Sequence, residues 1–134
     1  MKVSEIMTRQ VVAARANATC NSLAQKMLDG FISGLPVIDQ NRRVIGVVTE
    51  FDILKVIVNG KSLATIAEEI MTKEPIVLEM DQAVEEAVEL MTKHHIIRIP
   101  VVQNGKLAGI VSRSDILRAY VKEEFQLVEF EDVV

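Results

Sequence analysis

The chain carries the same text twice. GVVTEFDILK at residues 46–55 returns as GIVSRSDILR at residues 109–118, and the likeness extends well beyond that phrase. Ile6-Met7-Thr8 recurs as Ile70-Met71-Thr72, a shift of 64. The same shift pairs Met27 with Met91, Ile32 with Ile96 and Pro36-Val37 with Pro100-Val101. One residue is then lost, as Asp39-Gln40-Asn41-Arg42-Arg43 becomes Gln103-Asn104-Gly105-Lys106. Beyond it the shift is 63, pairing Gly46 with Gly109, Asp52 with Asp115 and Ile53-Leu54 with Ile116-Leu117. Surface turns tolerate length changes, so a deletion confined to one turn marks a structural repeat. Two copies are too few for a solenoid. They predict a pseudo-symmetric pair that buries one surface between its halves, because a half of about 60 residues is marginal alone.

Both halves show the same order of elements. Val11-Val12-Ala13-Ala14 and Ile76-Val77-Leu78 are short apolar runs of strand type. Asn17 and Asp81 are expected to cap the helices that follow. Cys20, Leu23, Met27 and Phe31 recur at helical spacing, as do Val84, Ala87, Val88 and Met91. Leu35-Pro36-Val37-Ile38 and Ile99-Pro100-Val101-Val102 read as strands, with the proline at an edge or strand start. Val44–Val48 and Leu107–Val111 complete hairpins, the second through an Asn104-Gly105 turn. Thr49 and Ser112 then cap a second helix, with Ile53, Leu54 and Ile57, or Ile116, Leu117, Tyr120 and Val121, on its apolar face. The fold class is mixed α/β (α+β), two β-α-β-β-α repeats at 1–62 and 63–122 followed by an acidic tail at 123–134.

Composition narrows the function. The 134 residues are 49% hydrophobic and 25% charged, as in a water-soluble globular protein, and aromatics at 4% leave an aliphatic core. No apolar run approaches the roughly 20 residues of a membrane span, and MKVSEIMTRQ lacks the apolar stretch of a signal peptide. Cys20 is the single cysteine, which agrees with a reducing, cytoplasmic setting. Residues 1–64 hold eight Lys/Arg against five Asp/Glu, and residues 65–134 hold seven against fourteen. A net charge of −4 without a basic stripe argues against nucleic acid as a partner.

The repeated phrase supports two readings. As local structure, a hydroxyl at the N-cap and an acid three residues later form a cap contributing about 1–2 kcal/mol per helix. As a site, the same atoms suit a nucleotide. Free amides and a hydroxyl at a helix N-terminus favour phosphate, and a carboxylate beside them accepts a ribose diol. The glycine three residues before the hydroxyl allows a close backbone approach. An Asp115→Asn change separates the readings: it should weaken nucleotide binding while costing under about 1 kcal/mol of stability.

The duplicated unit opens with Ile-Met-Thr, passes through Pro-Val and closes on Gly-h-h-[Thr/Ser]-x-x-Asp-Ile-Leu. This pattern resembles a tandem pair of cystathionine-β-synthase (CBS) domains, a Bateman module, from about Val3 to about Lys122. The resemblance implies two pseudo-symmetric CBS repeats packed as one module, with two clefts for adenosine-containing ligands such as AMP, ADP, ATP or S-adenosylmethionine. It implies regulation rather than catalysis, no required cofactor, a homodimer and a further protein under control. Asp52 and Asp115 would bind ribose hydroxyls in separate clefts, with Thr49 and Ser112 near ribose or phosphate. The opening segment of the opposite repeat would line each cleft, Thr8 and Val12 beside Asp115, and Thr72 and Ile76 beside Asp52. Ile97, Ile110 and Ser114 in the second repeat and Gly34 and Val47 in the first complete the candidate ligand-binding set.

The two halves differ in charge. Arg98 lies two residues before Pro100, where the first repeat has Gly34, and Arg113 follows Ser112, where the first repeat has Glu50. In nucleotide-binding relatives a basic residue at the Arg98 position contacts phosphate, and arginine suits bidentate contact with phosphate oxygens. The Asp115 cleft is therefore expected to hold a charged nucleotide. The Asp52 cleft, given a glycine and an acid, is expected to be empty or to take a ligand without phosphate.

Other residues carry less. His94-His95 lacks a third metal ligand, adjacent helical residues diverge, and His95 aligns with Phe31, so a packed histidine is expected. Cys20 aligns with Val84 and reads as core, and the methionines recur at matching positions, also as core. The tail, EEFQLVEFEDVV, could fold back or meet a partner. Two rivals stand beside the sensor: a ligand-free dimerisation module, and an enzyme, which lacks a Walker-type loop and a nucleophile–base pair.

Overall fold

The computed structural model describes residues 1–121, so the acidic tail lies outside the described residues. After a single 3₁₀ turn at Val3–Glu5 come α1 (Cys20–Gly30), β1 (Gly34–Ile38), β2 (Val44–Thr49) and α2 (Glu50–Val58). The second half follows with α3 (Ala67–Ile70), β3 (Thr72–Lys73), β4 (Leu78–Glu79), α4 (Val84–His94), β5 (Arg98–Gln103), β6 (Lys106–Ser112) and α5 (Arg113–Tyr120).

The hairpins form as their sequences predict. β1 and β2 pair antiparallel, as do β5 and β6, and each pair slips register once, at Val37/Ile38 and at Val101/Val102. Asn104 and Gly105 both have positive φ, 53° and 79°, as a two-residue turn of mirror-image type requires. The apolar runs ahead of the first helices contribute less than expected. Residues 11–13 form no strand, and only Ala14 bridges to Val37. The equivalent run keeps Leu78 in β4, parallel to β5. Pro36 fits because its carbonyl faces Ala14. Its missing N–H therefore points to this sparsely paired side.

The first helices start two residues later than the expected caps. Thr19 caps α1, accepting from Ser22 N at 3.1 Å, and Ala83 precedes α4 with no side-chain cap, so Asn17 and Asp81 are not caps. Backbone from elsewhere supplies acceptors instead: Cys20 N donates to Thr65 O, Asn21 N to Leu63 O and Val84 N to Met1 O. Phe31 and His95 end these helices in the left-handed conformation, at φ 51° and 54°. The next amides close the ends, Ile32 N to Met27 O and Ile96 N to Met91 O. Neither Phe31 nor His95 packs inward. Phe31 is 97% exposed, and His94 and His95 are exposed, which corrects the packed-histidine expectation.

The halves exchange their opening segments. Val3 and Met7 pack into the core of Leu78, Val84, Ile99, Val101 and Val111, whereas Ala67 packs into that of Leu23, Leu35, Val37 and Val48. β3 adds to β2 through Gly46–Lys73 and Val47–Thr72, and Thr8 bridges Ile110 in the same way. Each buried aliphatic side chain contributes about 1.5–3 kcal/mol, so neither core is complete without the other repeat. Cys20 is fully buried, and Met7, Met27 and Met91 lie in the core, as expected. Of their apolar residues the second helices bury only Ile53 and Val56, or Ile116. Leu54 and Ile57 (each 55% exposed), Leu117, Tyr120 and Val121 face outward, so the anticipated apolar face is split between core and surface.

The phrase's glycines serve this exchange. A Cβ on Gly109 would lie 2.7 Å from Met7 Sδ and 2.9 Å from Thr8 O, and one on Gly46 would collide with the Met71 side chain. The close approach they allow is to the other repeat's methionine.

Candidate functional site

Both copies of the phrase form the cap that their sequence suggests, but the two carboxylates are held differently. Ser112 N and Oγ donate to Asp115 Oδ2 at 2.8 and 3.0 Å, and Asp115 N donates to Ser112 Oγ at 3.2 Å. Thr49 and Asp52 repeat these bonds at 2.8, 3.1 and 3.4 Å. Asp115 has further donors: Arg118 Nη1 at 3.2 Å and Thr8 Oγ1 at 3.4 Å, both to Oδ1. Among the described residues, Asp52 Oδ1 has no bonding partner. Asp115 is 6% exposed and Asp52 half-buried.

Beside these caps lies an open cleft of about 450 Å³ between the repeats. The first repeat contributes Met27, Leu28, Phe31, Ile32, Ser33 and Glu50. The second contributes Ile97, Arg98, Ser112, Arg113 and Ser114. Five of the expected ligand residues thus share one space, and two cations face it next to the N-terminus of α5. Helix amides there favour an anion, although Arg113 N is already bonded to Ile97 O.

Arg98 is half-buried and anchored across the repeat boundary, its Nη1 donating to Gly34 O at 2.7 Å. A Cβ on Gly34 would lie 3.0 Å from Val48 O and 3.4 Å from that Nη1. Gly34 is therefore the seat of Arg98. Burial pushes the guanidinium pKa down, Glu50 pulls it up and Arg113 pushes it down. The group remains cationic at neutral pH.

Some of the other candidate residues lie beside one another. Thr8 stands beside Asp115 and bridges Ile110, and Thr72 pairs with Val47 on the Asp52 side. Val12, 43% exposed, and half-buried Ile76 do not line the cleft, and neither Asp115, Thr8 and Ile110 nor Gly34, Val47, Thr49, Asp52 and Thr72 are among its lining residues. The sequence reading missed the whole first-repeat wall, and it placed Glu50 with Asp52. Glu50 instead shares the cleft with Arg98 and Arg113. The duplication held the signal, because Glu50 and Arg113 occupy equivalent positions.

The family model for the CBS domain matches residues 3–59 and again residues 67–122. The chain belongs to the CBS-domain family. An uncharacterized protein of Methanopyrus kandleri is 37% identical over 121 residues, which cover 88% of this chain. The chain spans 62% of that relative's length. Two solved CBS structures superpose closely. The CBS domain pair of protein MJ0100, in complex with 5′-methylthioadenosine and S-adenosyl-L-methionine, matches with a TM-score of 0.82 at 29% identity. It covers 90% of this chain and 95% of its own. CBSX2 in complex with AMP matches at 0.81 and 28% identity, covering 88% of this chain and 94% of its own. Among the described residues no helix is long and apolar enough to cross a membrane, and no group of three His, Cys, Asp or Glu could hold a metal ion.

Proposed function

We propose that this CBS pair is a regulatory, non-catalytic module that binds an adenosine-containing ligand: AMP, ADP or ATP, or alternatively S-adenosylmethionine. The observation that carries the reading is the juxtaposition of Arg98 and Arg113 in one cleft, beside the hydroxyl-capped start of α5. Phosphate would sit at these cations. The ribose diol would take the places of Arg118 and Thr8 on Asp115. Arg118 is free to swing into solvent, its side chain being 75% exposed, and the ribose hydroxyls would replace its bond to the buried carboxylate. Arg98 ties the second repeat to the first, so a ligand that recruits it would bias the arrangement of the halves and of a downstream protein.

A second reading rests on the outward apolar residues of α2 and α5. Leu54, Ile57, Leu117 and Tyr120 are each more than half exposed. They suit a homodimer contact, with or without ligand. Thermal unfolding with each adenosyl ligand in turn separates the readings. A ligand at a hundred times its Kd stabilises by about 2.7 kcal/mol, a rise of several degrees in Tm. A rise with at least one ligand supports the sensor. No rise with any, on folded protein, supports the interaction module.

A further inference from the structure

Among the described residues Glu50 is the one acid on the walls of the cleft, opposite two arginines. It is the first residue of α2, exposed, with its backbone N–H donating to Ser33 O at 2.9 Å. It closes no salt bridge: among the described residues the only one is Arg118–Asp115. Its carboxylate therefore faces the cations without neutralising them by contact. The cleft holds positive charge on the second-repeat wall and one negative charge on the other. Exposed Leu28, Phe31 and Ile97 give the same cleft apolar surface.

We propose that Glu50 is the charge-selecting residue of this cleft, admitting an adenosyl ligand with one short anionic group and disfavouring a polyphosphate chain. The inference rests on the reading of the cleft as an adenosyl site and adds its specificity. A single phosphate, or the carboxylate of an amino-acid substituent, can lie against Arg98 and Arg113. A chain of phosphates anchored there brings further negative charge into the same cleft of about 450 Å³, whose wall Glu50 also forms. Like charges sharing a cleft of intermediate dielectric change affinity by on the order of tenfold. Two sources share the admitted chemistry, a nucleoside monophosphate and S-adenosylmethionine. They differ in that the latter carries positive charge that Glu50 attracts.

The test is calorimetric titration of the parent and of Glu50→Gln with AMP, ATP, S-adenosylmethionine and adenosine. Because Glu50 is exposed and glutamine is a good helix former, the variant should fold. The parent should bind AMP or S-adenosylmethionine more tightly than ATP. Glu50→Gln should improve ATP by on the order of tenfold, AMP by less and adenosine not at all. If S-adenosylmethionine is the preferred source, the variant should weaken it; if AMP is, the variant should strengthen AMP. Glu50→Lys should shift ATP further in the same direction. An unchanged ATP-to-AMP ratio in both variants, with the parent still binding, overturns the selector and leaves the site standing. No saturable binding of any of the four by the parent overturns both.

Discussion

Arg98 and Gly34, equivalent residues of the two repeats, are hydrogen-bonded to each other, Nη1 donating to the glycine carbonyl at 2.7 Å. The difference between the halves is thus a fitted pair. One repeat supplies the cation and the other the absence of a side chain that lets it lie down. Arg98→Ala should weaken AMP far more than adenosine and cost about 1 kcal/mol of stability for the lost bond. Titration with both ligands reads the first effect and urea unfolding the second. Equal losses for AMP and adenosine would remove the phosphate role and leave Arg98 as a tie between repeats.

Asp115 should be the costlier of the two motif acids to change. Its carboxylate serves Ser112, Arg118 and Thr8 and is 6% exposed, whereas among the described residues Asp52 serves Thr49 alone. The sequence suggested under about 1 kcal/mol for Asp115→Asn. With an asparagine amide facing several donors, about 1–3 kcal/mol is expected, and less for Asp52→Asn. Urea midpoints compare them. Equal losses would mean that Arg118 and Thr8 contribute nothing to stability.

The motif glycines make a sharper test of the segment exchange. The nearest atoms a Gly46→Ala methyl meets are all of the Met71 side chain, but Gly109→Ala also meets the backbone carbonyl of Thr8. Both should destabilise by about 1–3 kcal/mol. Adding Met71→Ala should recover part of the first loss, and Met7→Ala less of the second. Double-mutant cycles measure the recovery. Equal recovery would place the strain elsewhere.

How far the sequence could be read follows from these positions. Thr49 and Ser112, the Asn104-Gly105 turn and the paired hairpins were legible because each depends on neighbours within a few residues. The core role of Cys20 was legible from its alignment with Val84. The exchange of opening segments was not readable from the residues themselves. Val3 and Ala67 are equivalent, and a duplicated pattern is satisfied whether each packs on its own repeat or on the other. Only the family resemblance pointed to the opposite repeat. Helical spacing placed Phe31 on an apolar face, but the helix stops one residue earlier and the left-handed turn throws the ring outward. Leu54 and Leu117 misled because short helices on a small sheet bury only a narrow stripe. Glu50 was assigned to its own repeat's cleft, since sequence order says nothing about which walls meet.

Alkaline pH should act through Cys20. Burial pushes its thiol pKa up, against a backbone hydrogen bond that lowers it, and Glu69 raises it further. The unfolded chain releases this proton from about pH 8.5, while the folded protein keeps it to higher pH. Between those values the folded state binds more protons, so stability falls as pH rises. Cys20→Val, which copies Val84, should show a smaller drop in urea midpoint between about pH 7.5 and about pH 9.5. The same drop in both proteins would assign the loss to other groups.

The central claim is that the cleft of Arg98 and Arg113 takes an adenosyl ligand. Isothermal titration calorimetry of the ligand-free protein with AMP, ADP, ATP and S-adenosylmethionine tests it most directly. Saturable binding of at least one of them, at one ligand per chain, is the predicted result. No heat with any of the four, on folded protein, would contradict the account and leave the repeated phrase as a pair of helix caps.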